Sequence, residues 1–283
     1  MTTETIIVVN NLVKKFGAFT ALDGLQLTVK KGEVHGFLGP NGSGKSTTIR
    51  ILLGLLRKTD GKAELLGEDP WKKAVELHKS IAYVPGDVSF WPNLTGGESI
   101  DLLGKLRGGL DERLRKELIE KCQLDPTKKF RTYSKGNKQK VALISALSSD
   151  VDVYILDEPT SGLDPLMESV FQDYVKDLKK QGKTILLSSH ILAEVEALCD
   201  KVTIIREGKT VQTGTLQELR HLHRTAMKVH TEKPIHKLST KGVHNQKIVK
   251  SENKIEFEVE SDQIDKALKE LTKLNITSLV SQP

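Results

Sequence analysis

One stretch constrains this chain more than any other: Gly39-Pro40-Asn41-Gly42-Ser43-Gly44-Lys45-Ser46-Thr47. It follows an apolar run at 34–38 that reads as a strand, and it leads into residues that read as a helix. Glycines at this spacing let backbone N–H groups turn inward around a phosphate. The helix N-terminus adds roughly half a positive charge. Lys45 is placed to reach the outer phosphate oxygens, and the Ser46 hydroxyl suits a Mg2+ ion. A chance glycine turn would not have strand and helix on the correct sides. The unit requires further strands beside it, so the expected class is α/β with a mostly parallel sheet.

The rest of the chain supplies them. Residues 151–156 read as a strand, followed by a helix after Asp164. Residues 184–188 read as another, followed by a helix after His190. Asp164 before Pro165 is a strong helix start, with a capping carboxylate and a ring suited to the first helical position. Between these units, about 87–149, the pattern is helical at 97–107, 111–122 and 136–147, as in an inserted helical subdomain. Thr215-Leu216-Gln217-Glu218 has the spacing of a capping box and is expected to open the last helix of this first domain. Beyond it Ile255, Phe257 and Val259 alternate as in a strand, and Ile264, Ala267, Leu268 and Leu271 repeat as on one helix face. The expected organisation is a domain over 1–220 and a small α/β appendage over 221–283.

Composition narrows the class. The chain has 283 residues, with 43 Lys and Arg against 37 Asp and Glu, a net charge of +6. The basic residues are scattered, and no nucleic-acid motif accompanies them, so no nucleic-acid partner is expected. No apolar run approaches the ~20 residues that span a bilayer, and the N-terminus lacks the pattern of a secretion signal. Cys122 and Cys199 lie far apart, fit a reducing cytosol, and read as small core or surface residues. His221, His223, His230, His236 and His244 crowd the appendage at no metal-binding spacing and read as surface residues.

Two carboxylates end the strand Val153-Tyr154-Ile155-Leu156-Asp157-Glu158. One reading is an acidic turn after a core strand. With a phosphate loop present, the other is that Asp157 completes a Mg2+ shell while Glu158 orients and deprotonates the water that attacks a γ-phosphate. His190 ends a further strand, so its imidazole is expected at the same sheet edge. A lone histidine is ordinarily structural; its place in this order argues for the site.

These motifs, in this order, resemble the ATP-binding-cassette ATPases from about residue 9 to 219. The resemblance implies a P-loop fold with an N-terminal antiparallel β subdomain, ATP and Mg2+ as cofactors, and a homodimer. It assigns Phe16 to stacking on adenine, 39–46 to the Walker A loop, and Asp157 and Glu158 to the Walker B pair. Residues 161–164 match the D-loop, and His190 the switch histidine. Ser134-Lys135-Gly136-Asn137 stands where the family has its signature, implying that Ser134 and Gly136 contact the γ-phosphate held by a partner subunit. Lys135 and Asn137 depart from the commonest signature in a way that resembles the ABC-2 exporter branch. That branch implies an ATPase working on the cytoplasmic face of the membrane with a separate permease, here of the drug or antibiotic type.

A second departure falls at Gly86, where the family carries a metal-touching glutamine; either Asp87 substitutes or backbone and water do. Phe90-Trp91-Pro92 lies where related cassettes receive the permease, as a docking surface or as core. The resemblance further implies a short acidic-hydrophobic helix beyond a position like Gln282-Pro283. The alternatives are a soluble cassette that remodels ribosomes or DNA, and a regulatory module that holds ATP without hydrolysing it.

Overall fold

The computed structural model describes residues 4–220, 224–260 and 263–282, and it divides into two compact units, Met1–Thr213 and Gly214–Pro283. The first unit opens with two long strands, β1 (Thr5–Phe16) and β2 (Phe19–Lys30), which turn at Gly17. A central strand, β3 (Val34–Leu38), feeds helix α1 (Lys45–Leu52). Strand β4 (Asp60–Leu65), helix α2 (Pro70–Leu77) and strand β5 (Ile81–Val84) follow. Three helices come next: α3 (Gly96–Arg107), α4 (Glu112–Lys121) and α5 (Lys135–Leu147). The core then resumes with β6 (Val153–Asp157), α6 (Pro165–Lys180), β7 (Thr184–Ser189), α7 (Leu192–Leu198), β8 (Lys201–Arg206) and β9 (Lys209–Thr215).

Two sheets result. An antiparallel one has the order β2-β1-β4 and forms the N-terminal β layer. A six-stranded one has the order β5-β6-β7-β3-β8-β9, with parallel pairing from β5 through β8. β6 and β7 are buried at every position, as expected of parallel strands covered on both faces. The two layers share one core, in which Leu12, Leu22 and Leu25 meet Phe37, Ile49, Leu52, Ile155 and Leu186. Each such buried side chain contributes about 1.5–3 kcal/mol.

The predicted helix starts are realised through their caps. The Asp164 carboxylate accepts from Met167 N–H at 3.0 Å with Pro165 in the first turn, and Asp111 accepts from Leu114 N–H at 2.9 Å. Thr95 and Glu98 form a reciprocal capping box at α3. Both cysteines are buried.

The second unit begins with α8 (Leu216–Arg220), opened by the capping box of Thr215 and Glu218. The division therefore falls ahead of this helix, which the sequence reading attached to the first domain. Strands β10 (Arg224–Thr231), β11 (Val243–Val249), β12 (Lys254–Glu260) and β13 (Ile276–Gln282) form an antiparallel sheet of order β11-β12-β10-β13. Helix α9 (Ile264–Thr272) buries Ala267 and Leu271 in a core with Val229, Ile255, Phe257 and Val259. His236 is exposed, His230 is half-buried, and His244 pairs with Glu260 at 3.0 Å. His221, His223 and Pro283 lie outside the described residues. Among the described residues no helix is long and apolar enough to cross a membrane.

Candidate active site

The loop between β3 and α1 is shaped by close approach. Gly39 sits where a Cβ would lie 2.3 Å from the Ile205 carbonyl oxygen, and its N–H donates to the Ser189 carbonyl at 3.2 Å. Gly44 has φ of 109° and lies against Leu22, so a side chain there would be both strained and obstructed. Lys45 folds back under the loop. Its ammonium donates to the carbonyls of Gly39 at 2.7 Å and Pro40 at 3.2 Å and is only 4% exposed.

Two observations show that the loop fits a polyanion. Helix α1 starts without a side-chain cap, which leaves N-terminal N–H groups to be satisfied from outside the helix. Ser43 Oγ is buried without a hydrogen-bond partner among the described residues, the kind of orphaned atom that calls for a ligand or water.

The carboxylate pair is held by neighbouring strands. Asp157 is buried, and its Oδ1 accepts from Ser188 Oγ at 2.5 Å across β6 and β7. Glu158 follows with φ of 47°, a left-handed conformation uncommon for a residue with a side chain, fixed by its N–H donating to the Ser188 carbonyl at 3.0 Å. That turn aims the carboxylate between Lys45 and His190. Oε1 lies 3.4 Å from Lys45 Nζ, and Oε2 lies 3.4 Å from His190 Nδ1. Hard oxygen donors, the exposed Ser46 hydroxyl and the Asp157 carboxylate, suit a Mg2+ ion.

A groove of about 290 Å3 runs over this floor. Asn41, Gly42, Gly44, Lys45, Ser46, Thr47 and Glu158 line it together with Phe16, Phe19 and Ala21. Phe16 is 49% exposed with Lys14 Nζ 4.7 Å from its ring centroid, and Phe19 is 66% exposed. Phe19 was not singled out by the sequence. It faces Phe16 across the turn of the β1–β2 hairpin, so hairpin register was the signal that could have found it.

Other predicted residues lie elsewhere. Ser134 caps α5, accepting from Asn137 N–H at 3.3 Å, and it is exposed. Gly136 packs against the Gly162 carbonyl, and neither residue lines the groove around Lys45. Gly86 abuts Asp157: a Cβ there would lie 3.2 Å from its carbonyl oxygen and 3.8 Å from its carboxyl carbon. Asp87 is exposed and does not line the groove. The two aromatics behave differently, since Phe90 is half-buried and packs on Phe130 at 5.3 Å while Trp91 is 43% exposed.

A strand, a glycine loop ending in Lys-Ser, a helix and an acidic strand end define a P-loop nucleotide-binding protein. Residues 22–161 match the family model described as ABC transporter. The chain is 34% identical over 227 residues to the bacitracin transport ATP-binding protein BcrA of Enterococcus faecalis, covering 79% of this chain and 74% of that protein. It is 40% identical over 206 residues to an ABC transporter ATP-binding protein of Synechocystis sp., covering 70% of this chain and 58% of that relative. A solved ATP-binding subunit of an ABC transporter matches with a TM-score of 0.71 at 31% identity, over 77% of this chain and 93% of that one. The cassette MJ0796, in a dimeric post-hydrolysis state bound to ADP and Pi, matches with a TM-score of 0.66 at 25% identity, over 75% and 99%. This chain belongs to the ABC transporter ATP-binding family, whose cassettes generally bind and hydrolyse ATP.

Proposed function

We propose that the chain is the ATP-hydrolysing subunit of an ABC-2-type exporter, a head-to-tail homodimer on the cytoplasmic face of the membrane that drives a separate permease. The observation that carries the chemistry is Glu158, whose two carboxylate oxygens face Lys45 and His190 at the mouth of the phosphate loop. Lys45 and the N–H groups of the loop neutralise phosphate charge, and Phe16 with Phe19 offers apolar surface for adenine. Glu158 takes a proton from the attacking water, and His190 holds that carboxylate in place. Ser46 and Asp157 are the residues that would hold Mg2+, which would supply charge neutralisation for the phosphates. Asp87, adjoining Gly86, takes over the family glutamine's part.

Support for the dimer comes from the position of the signature. Ser134 and Gly136 are away from their own chain's groove, which leaves them free to close over a partner's. The related cassette solved as a dimer with ADP and Pi supports a dimer for this chain as well. The relative named for bacitracin transport supports an antibiotic-like or drug-like cargo. Trp91, exposed beside Phe90, is a contact for the permease.

The test combines two measurements on the full chain: Mg2+-dependent phosphate release from ATP, and co-purification from membranes with a six-span permease. Both are expected. Release without a membrane partner favours a soluble cassette, and ATP binding without release favours a regulatory module.

A further inference from the structure

Away from the phosphate loop, one carboxylate joins two loops that the reaction uses. Glu194 lies on α7, four residues after His190. Its Oε1 accepts from Thr160 Oγ1 at 2.5 Å, and its Oε2 accepts from Ser189 Oγ at 2.6 Å. Thr160 is 8% exposed and Ser189 1% exposed, so water competes little for either hydroxyl. Bonds to an ionised acceptor in such surroundings are roughly twice as strong as neutral ones.

Each partner fixes a turn. Ser189 Oγ also accepts from Ile191 N–H at 2.9 Å, which sets the corner that presents His190. The Thr160 carbonyl accepts from Leu163 N–H at 3.0 Å, within the turn that follows Glu158. The linkage continues at both ends. The Ser189 carbonyl receives Gly39 N–H from the phosphate loop, and Lys135 at the start of α5 donates to Ser161 Oγ at 3.1 Å. A groove of about 260 Å3 beside Glu158, Ser161, His190 and Glu194 gives these loops room to part when the linkage is cut.

We propose that Glu194 is a positioning residue for ATP hydrolysis: its carboxylate clips the 160–163 turn to the histidine loop, so that His190 and the turn beside the signature helix are held as one unit. The proposal rests on the ATPase reading above. Glu194 does not line the nucleotide groove, so its loss acts on turnover and not on nucleotide affinity.

The experiment measures kcat, KM and fluorescent ATP-analogue binding for the full chain carrying Glu194→Ala, Thr160→Val, or both, with Glu158→Gln alongside. Glu194→Ala is expected to lower kcat by about 10-fold to 100-fold, the usual consequence of a misplaced catalytic group, with analogue binding changed by less than about twofold. Thr160→Val, which deletes the hydroxyl at nearly constant volume, is expected to lower kcat in the wild-type background and to add little to Glu194→Ala. Should Glu194→Ala fail to fold, Thr160→Val and Glu194→Gln carry the test through the same kcat-against-binding split. A folded Glu194→Ala chain with wild-type kcat, or two substitutions whose effects simply multiply, overturns the clip while leaving the ATPase reading intact if Glu158→Gln loses phosphate release. A wild-type chain that releases no phosphate overturns both.

Discussion

Glu158 shows how much of the chemistry is set by a single backbone dihedral. Its left-handed φ of 47° turns the carboxylate out of the β6 register, where it faces Lys45 and His190 at equal distances of 3.4 Å. Removing its charge while keeping its shape isolates the proton transfer. Glu158→Gln is expected to retain ATP binding and to slow hydrolysis by about 10²–10⁴, measured as phosphate release under single-turnover conditions. Turnover above about a tenth of wild type means another group is the base. The same scale covers the missing glutamine. Asp87→Ala is expected to lower Mg2+-dependent turnover, and Gly86→Gln to be tolerated, since a Cβ there requires the Asp157 carbonyl to give by only a few tenths of an ångström. Unchanged Asp87→Ala turnover across Mg2+ concentrations assigns the role to backbone or water.

At this scale the sequence was informative wherever a motif is contiguous. The phosphate loop, the Asp157-Glu158 pair and His190 were legible because each is fixed by its place next to a strand end. Phe19, the orphaned Ser43 hydroxyl and the Glu194 linkage were not. Each depends on segments distant in sequence meeting in space, and spacing along the chain carries no record of that.

Among the elements, legibility followed burial and capping. Helices expected at 97–107, 111–122 and 136–147 appear as Gly96–Arg107, Glu112–Lys121 and Lys135–Leu147 because capping side chains and apolar periodicity act locally. Among the elements that escaped notice are helix α2 and strand β11. The first is eight residues with a non-helical break at Lys73, and the second alternates with little burial. Burial also decides the open question about the cysteines. Cys122 on the α4 C-terminus has its thiol pushed up to about 11 by desolvation, and Cys199, after α7, is raised as well by burial and then by Asp200. A raised thiol pKa keeps the reactive thiolate scarce at pH 8. Alkylation of the native chain is therefore expected to be slow at both cysteines and to become fast in denaturant, as read by mass spectrometry against time. Rapid native labelling at pH 8 would show that α4 or α7 opens far more readily than this packing implies.

For the whole molecule, the central claim is that one ATP is enclosed by Lys45 of one subunit and Ser134 of the other. Two substitutions that each disable a homodimer should then complement. Lys45→Ala removes the phosphate-loop cation from both sites, and Ser134→Arg blocks both signatures at the exposed start of α5. In a mixed dimer, the Ser134→Arg subunit keeps a good phosphate loop and the Lys45→Ala subunit a good signature, which rebuilds one site and ruins the other. Random pairing makes about half the dimers mixed, so independent sites give recovery of at most roughly a quarter of wild type. The decisive measurement is phosphate release by heterodimers, verified with differently tagged chains and assembled with the permease. Activity well above either parent is the result this account predicts; heterodimers as inactive as their parents, while a linked dimer carrying Ser134→Arg in one half alone stays active, would contradict it.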